Sequence, residues 1–517
     1  LFQERDIGTV SRTSSFGTPH LNIDWVGRSQ TSTLRIRDFI DGEWKHGAGD
    51  ESLAKYSPRD GRLLARFGAG AARDVDEAVA SARRAFDDGR WSKLPIQRRK
   101  DALHGLASLL EKHREELALL ECLDVGKPIS DAFNFDVTTA VATLRHTAEI
   151  SDQVQGLVYG ADQSSLSYQL RRPFGVVAGI VGWNFPLVLA VQKIAPALAT
   201  GNCLVLKPSE ITSLSASRVA QLAIEAGIPA GVLNVVHGNG AVGAALARHQ
   251  DVDLVTFTGS TQTGKKLLIA SGQSNMKRLI LECGGKAPNI VFDDCPNLDS
   301  VADSVVARAF MNQGEVCTAS SRLLIQDSIK DEVLRRVIQK SALLVTGDPL
   351  NPETKFGALV SREHQQKVLD YIAGGEKEGA RMAYQSNAPA PFSEGFYVPP
   401  TIFDRVSPGQ KIAQEEIFGP VLSVISFRDE GEAIRIANST IYGLSAILWT
   451  KDLGRAHRAT QGIHAGRIVV NATGKPTGGP GVGVVSVGGH KESGIGTEGG
   501  IEGLEAYMST SAVQWFV

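Results

Sequence analysis

From Asp74 onward, apolar residues recur at helical spacing through Asp74 to Phe86 and Ile96 to Leu123, which predicts surface helices with one buried face. Short apolar, β-rich runs then alternate with helical ones. They are Val176 to Val181 and a helix from Leu187, Cys203 to Leu206 and Ser213 to Glu225, and Val232 to Val236 and Val242 to Ala247. Leu254 to Phe257, a helix from Thr261, and Arg278 to Leu281 continue the series. Strand and helix in strict alternation predict a parallel sheet covered on both faces. A second alternating series follows Pro288, through Ile290 to Phe292, Ser300 to Met311, Ser321 to Ile325 and Lys330 to Val345. Two α/β domains are expected, with Glu282 and Cys317 on opposite sides of their boundary. Leu157 to Arg172 and the tail Glu505 to Val517 fit neither series and read as extended edges that add to another sheet, such as a second subunit's.

The 517 residues exceed one ordinary core, in keeping with two or three domains. The expected division is an extension over 1–33, a first domain over 34–154 and 174–285, a second over 286–502, and oligomerisation strands at 155–173 and 503–517. The extension is rich in Ser, Thr and Gly, has no apolar signal core, and is expected to be poorly ordered. A net charge of -2, with both signs spread along the chain, leaves no basic footprint for nucleic acid. The apolar runs fall short of the roughly 20 residues of a membrane span. Five widely spaced cysteines without a Cys-x-x-Cys pair argue against a disulfide framework and against a metal site. A free nucleophilic thiol suits a reducing compartment, and a cytoplasmic protein is expected.

The chemistry concentrates in two runs, Asn312-Gln313-Gly314-Glu315-Val316-Cys317-Thr318 and Leu281-Glu282-Cys283-Gly284-Gly285-Lys286. A thiol that attacks a carbonyl and a carboxylate that activates water together turn an aldehyde into an acid through a thioester. An unflanked cysteine is more often a small buried hydrophobe, which is the reading for Cys122, Cys203 and Cys295. Cys283 adjoins Glu282 in a strand, so its side chain points to the opposite face, into the packing. Glu282 could instead be neutralised by Lys286 four residues on. Asn184 follows an apolar strand and precedes Pro186, at a strand-to-helix turn where its amide can meet a developing oxyanion; an ordinary Asn turn has the same pattern. Gly238-Asn239-Gly240-Ala241-Val242-Gly243 satisfies G-x-G-x-x-G, but that fingerprint belongs to the first strand of a unit, and earlier strand and helix repeats precede it here.

Six segments in order give a sharper reading: Gly182-Trp183-Asn184-Phe185-Pro186, Lys207-Pro208-Ser209-Glu210, Phe257-Thr258-Gly259-Ser260, Leu281 to Lys286, Asn312 to Cys317, and Glu415-Glu416-Ile417-Phe418-Gly419-Pro420. From about Leu34 to the C-terminus the chain resembles the aldehyde dehydrogenase superfamily of NAD(P)-dependent enzymes. The resemblance implies a Rossmann-like NAD-binding domain, an α/β catalytic domain and a small β oligomerisation extension, assembled as a homodimer or homotetramer. It implies Cys317 as nucleophile, Asn184 and the Cys317 N–H as oxyanion donors, and Glu282 as the base that hydrolyses the thioester; relatives that pass the acyl group to coenzyme A commonly lack this glutamate. Lys193 and Glu498 are expected to help move protons near the thiol. Trp183, Lys207, Ser209, Glu210, Gly240, Gly259, Ser260, Glu416 and Phe418 are expected around the cofactor. The pyrophosphate would lie at the helix after Gly259-Ser260-Thr261, and Gly240 would only border the adenine. The Glu210 carboxylate can accept both ribose hydroxyls and repels a 2′-phosphate, so NAD is favoured and NADP is the lesser alternative.

Leu189, Gln192, Met311, Val316, Thr318 and His146 are expected to line the tunnel for a small-molecule aldehyde. The chain departs from the family pattern at Gly182, where proline is frequent, at Thr497, where arginine is, and at Val487, where an aromatic is; Gln192 replaces an aromatic found in members that take small aliphatic aldehydes. Val487 belongs to a long Gly- and Pro-rich loop, Thr473 to Gly489, which should border the substrate entrance. A semialdehyde or aminoaldehyde dehydrogenase is the alternative within the class. A non-catalytic structural or binding relative is the alternative outside it, and it predicts loss of Cys317, Asn184 or Glu282.

Overall fold

The computed structural model describes residues 19–160, 164–473 and 483–516. Among them, one eight-stranded sheet runs in the order Glu43–Lys45, Asp38–Ile40, Leu233–Val235, Cys203–Lys207, Val176–Ile180, Leu254–Thr258, Arg278–Glu282, Gly494–Ile495. The five strands from Leu233–Val235 to Arg278–Glu282 are parallel. Val176–Ile180 and Cys203–Lys207 are buried along their whole length, as unbroken apolar runs require when helices cover both faces. From Val176–Ile180 the chain winds outward first to one side and then, through Leu254–Thr258, to the other. The C-terminal ends of these two neighbours form a topological switch point, where open α/β sheets bind ligands.

A second, seven-stranded sheet has the order Arg381–Gln385, Thr401–Asp404, Val421–Phe427, Arg322–Gln326, Pro288–Val291, Ser445–Trp449, Arg467–Val470. Only its first strand pairs antiparallel. Arg59, in the turn between the paired strands Ser52–Tyr56 and Leu63–Gly68, donates from Nε and Nη2 to the Asp348 carboxylate at 2.6 and 2.7 Å. Ala358 N also donates to the Gly126 carbonyl at 2.9 Å.

Four expectations change. The span Ile96 to Leu123 is two helices, Ile96–Lys112 and Arg114–Val125, because His113 leaves helical geometry (φ -97°, ψ 23°) and Glu115 and Glu116 open a new first turn. The extension is not frayed throughout: Trp25–Thr31 is a helix capped by Asp24, and Trp25 is buried, while residues 1–18 lie outside the described residues. The unit expected over 286–502 gives up its end, since Gly494–Ile495 pairs with Arg278–Glu282 and the helix Gly500–Glu505 packs on the helix Pro186–Ala199. The two orphan stretches find each other: Ser165–Pro173 and Met508–Phe516 pair antiparallel from end to end. Of the loop Thr473 to Gly489, residues 474–482 lie outside the described residues.

Candidate active site

Asn184 stands where the strand Val176–Ile180 hands over to the helix Pro186–Ala199, with Pro186 at the first helical position, where its missing N–H costs nothing. The helix start is served by Glu121, whose Oε1 accepts from Leu187 N at 3.1 Å. Asn184 is buried and doubly held. Its Nδ2 donates to the Glu315 carbonyl at 2.9 Å, and its own carbonyl accepts from Asn312 Nδ2 at 3.0 Å and Lys127 Nζ at 3.2 Å.

Cys317 is presented by an unusual turn. After the helix Leu298–Phe310 the backbone is left-handed at Asn312 (φ 48°), Gln313 (φ 57°) and Gly314 (φ 77°). Left-handed backbone costs an ordinary residue about 1–2 kcal/mol, and the turn is held by surrounding contacts. Gln313 Oε1 accepts from Gly357 N at 2.9 Å, and a Cβ on Gly314 would stand 2.3 Å from the Gly419 carbonyl oxygen. Of the five cysteines, Cys317 alone is half-buried, and Cys122, Cys203, Cys283 and Cys295 are buried. Burial, then the Glu416 and Glu282 carboxylates, push the Cys317 thiol up to about 12. At rest it carries its proton.

Glu282 ends the strand Arg278–Glu282, and its Oε1 is buried without a partner. Burial, reinforced by Glu498, raises it to about 8 against the pull of Lys193 and the Gly489 N–H. Lys193, fully buried on the helix Pro186–Ala199, is ion-paired with Glu498. Glu498 is fixed by backbone bonds to and from Val487, both 2.8 Å, which also place Val487 at this site. Lys286 does not neutralise Glu282: it is buried, its Nζ has no partner, and burial and Arg322 lower it to about 7. The two glycines of the run have separate reasons. A Cβ on Gly284 would stand 2.5 Å from Glu416 Oε2, and one on Gly285 would stand 2.3 Å from the Cys317 carbonyl oxygen.

The residues expected around a cofactor follow the C-terminal ends of the parallel strands, with two more on a loop of the other sheet. Lys207 ends the strand Cys203–Lys207, buried, with Nζ donating to the Pro208 carbonyl at 3.1 Å and to the Glu210 carboxylate at 3.3 Å. Ser209 lies between them, half-buried, its carbonyl accepting from Ser213 Oγ at 2.8 Å. Gly259 and Ser260 follow the strand Leu254–Thr258, and Ser260 caps the helix Thr261–Gly272 by accepting from Thr263 N. Gly240 opens the helix Gly240–Arg248, whose cap is Asn239. From the other sheet, Glu416 Oε1 accepts from Gly285 N at 2.8 Å, and Phe418, left-handed at φ 60°, sets its ring 5.0 Å from Trp183.

Leu189 and Gln192 sit one and two turns beyond Asn184 on its helix, Leu189 buried and Gln192 half-buried. Met311 and Val316 are half-buried and Thr318 exposed on the segment that carries Cys317; His146 is half-buried with Nε2 unpartnered.

Sequence reasoning missed His364, Lys127 and the side chain of Glu315. His364 packs its ring 5.0 Å from Trp183 and donates Nε2–H to the Phe418 carbonyl at 2.6 Å; burial lowers it to about 4, so it is neutral. Burial also raises the Glu315 carboxyl, whose Oε1 accepts from Val360 N at 3.0 Å. No spacing marks His364, and Lys127, between Gly126 and Pro128, reads as a surface lysine after a helix. A Ser217–His237–Asp38 chain, 3.1 and 3.2 Å, mimics a hydrolase triad, but all three are sealed in the core and no substrate reaches them.

The aldehyde dehydrogenase family model matches residues 44–513. An NADP/NAD-dependent aldehyde dehydrogenase, PuuC of Escherichia coli, is 43% identical over 490 residues, 95% of this chain and 97% of that protein. An aminoacetaldehyde dehydrogenase of Pseudomonas aeruginosa is 44% identical over 474 residues, 92% of this chain and 94% of that one. Among solved structures, a mutant of the P. syringae indole-3-acetaldehyde dehydrogenase AldA in complex with NAD+ and IAA superposes with a TM-score of 0.92 at 47% identity, covering 96% of this chain and 99% of its own. With its six motifs in order and matches at both levels spanning nearly its whole length, the chain belongs to the aldehyde dehydrogenase family.

Proposed function

We propose that the protein oxidises an aldehyde to the carboxylic acid with NAD+ and water. The observation that carries this reading is the convergence on one half-buried thiol, Cys317, of a held side-chain amide, Asn184, and a half-buried carboxyl with one buried, unpartnered oxygen, Glu282.

The Cys317 thiol gives its proton to solvent water, and its sulfur adds to the carbonyl carbon. The C=O pair becomes an alkoxide that the second Asn184 N–H and the Cys317 backbone N–H can meet. When bound, NAD+ supplies the acceptor for the hydride that leaves this carbon. Collapse of the alkoxide leaves a Cys317 thioester. Glu282, as carboxylate, takes a proton from a water that adds to the thioester; the C–S bond breaks, the leaving sulfur takes that proton back from Glu282 to restore the thiol, and the acid leaves. The Lys193–Glu498 pair beside Glu282 offers the released proton a way out.

The residues present suit NAD+. Lys207 and Glu210 offer a donor and an acceptor for a ribose diol at the end of the strand Cys203–Lys207, beside the switch point. The uncovered N–H groups of the helix Thr261–Gly272 favour a pyrophosphate at the end of another strand. Glu210 is 40% exposed on its side chain, so its carboxylate stays available to repel a 2′-phosphate, which favours NAD+ over NADP+.

An aminoaldehyde substrate has specific support. The helix Val137–Ile150 packs on the helix Pro186–Ala199 and carries three buried polar atoms without partners, Thr139 Oγ1, Thr143 Oγ1 and His146 Nε2, a turn apart along one side. Gln192, on the helix Pro186–Ala199, adds a half-buried amide.

Exposed apolar side chains on and beside the paired strands Ser165–Pro173 and Met508–Phe516, namely Val158 (71%), Trp515 (60%) and Phe516 (79%), favour a homodimer or homotetramer. Among the described residues no helix is long and apolar enough to cross a membrane, and the five free thiols favour a cytoplasmic setting.

Propanal, NAD+ and oxygen-labelled water test the reaction. The reading expects NADH and propanoate in equal amounts, with label in the acid. NADH without acid, or acid without label, contradicts it.

A further inference from the structure

The geometry points to Lys127 as a positioning residue for Asn184: its sealed ammonium fixes the carbonyl of the Asn184 turn, so that the side-chain amide is held toward the Cys317 thiol. The inference rests on the reading of Asn184 as oxyanion donor.

Lys127 is 1% exposed, and its Nζ has three neighbours. It donates to Asp136 Oδ2 at 2.6 Å and to the Asn184 carbonyl at 3.2 Å, and stands 4.0 Å from the centre of the Phe185 ring. Asp136 is equally buried, and Glu121, also sealed, caps the helix that begins at the next turn of chain. A buried ion pair is weak evidence for stability, because desolvation offsets the attraction and apolar residues of the same volume commonly serve as well. This pair is spent on one carbonyl, that of Asn184.

That carbonyl is shared. Asn312 Nδ2 takes its other side at 3.0 Å and also reaches the Glu315 carbonyl at 3.2 Å, the same atom to which Asn184 Nδ2 donates at 2.9 Å. An amide nitrogen has two hydrogens. One is committed to Glu315, so the direction of the other follows from the torsion of Asn184, whose backbone end Lys127 and Asn312 hold. Freed of Lys127, the turn can rotate about its bond to Glu315 and carry the second hydrogen off line. Misplacement by about 1 Å can cost roughly a hundredfold in rate.

The test uses paired substitutions that leave no buried charge alone. Lys127→Met with Asp136→Leu removes the donor to Asn184, and Lys127→Gln with Asp136→Asn keeps a donor while removing the charges. The single-turnover rate of NADH formation from propanal is measured beside the parent and Asn184→Ala, with NAD+ affinity and aldehyde KM as controls. The expected result is a rate about 10–100-fold lower in the Met/Leu pair with both controls within twofold, and most of the rate recovered in the Gln/Asn pair. A Met/Leu pair as fast as the parent, while Asn184→Ala is slow, overturns the proposal. If the Met/Leu pair does not fold, the Gln/Asn pair decides: a rate within threefold of the parent supports positioning through the hydrogen bond, and a loss as deep as that of Asn184→Ala contradicts it. An unchanged rate in Asn184→Ala removes the oxyanion reading itself, a separate failure.

Discussion

The side-chain amide of Asn184 donates to the backbone carbonyl of Glu315 at 2.9 Å, a bond from the turn that leads out of one sheet to the loop that serves the other. Cys317 lies two residues beyond that carbonyl, so thiol and amide are set against each other by a short stretch of chain. Asn184→Ala should therefore lower kcat by about 10²–10³, the usual cost of one oxyanion donor. NAD+ binding, measured by fluorescence titration, should stay within a few fold. A variant with unchanged kcat would remove Asn184 from the chemistry.

Gly285 and Gly284 should respond differently to alanine. At Gly285 the new methyl meets the Cys317 carbonyl at 2.3 Å, which is backbone and cannot turn aside. Gly285→Ala should cost about 1–3 kcal/mol of stability in thermal melts, as overpacking does, and most of the activity. At Gly284 the methyl meets the end of the Glu416 side chain at 2.5 Å, which can move. Gly284→Ala should melt close to the parent while raising the KM for NAD+. Equal melting losses in both variants would contradict this assignment.

Glu282 sits at about 8 in the folded protein, and it acts as a base only when ionised. Turnover should therefore rise with pH through the neutral range and level off above about pH 8. The sign follows from loss of a proton switching the base on. Glu282→Gln should give a rapid first turnover and then stall, with the steady rate down about 10²–10⁴ and the alkaline rise gone. A steady rate equal to the parent's would show that another group activates water.

The free enzyme's Cys317 should label slowly with iodoacetamide, because burial and two carboxylates hold its thiol at about 12. Its thiolate fraction, and with it the labelling rate, should climb about tenfold per pH unit from pH 7 to 10 with no plateau. Mass spectrometry of digests should find Cys122, Cys203, Cys283 and Cys295 unlabelled under native conditions, since all four are buried. A plateau near neutral pH would mean that a cation stabilises the thiolate.

Much of this was legible in the sequence because period and chemistry are local. Val176–Ile180 and Cys203–Lys207 are unbroken apolar runs, and Glu282, Asn184 and Cys317 stand at ends and turns that their neighbours announce. What escaped depends on contacts between distant residues. Nothing near Ser165–Pro173 says that Met508–Phe516 will pair with it, and a two-residue strand such as Gly494–Ile495 has no period at all. His113 breaks a helix whose two halves share the same apolar spacing, so the pattern runs through the break. Lys127 looks exposed by composition, and only the fold closes Asp136 and Phe185 over it.

The central claim is that Cys317 is the nucleophile, and Cys317→Ser measures it most directly. With propanal and NAD+ the variant should form no NADH above background in either the first turnover or the steady state, while binding NAD+ as the parent does. NADH formation at a rate comparable to the parent's would contradict the account.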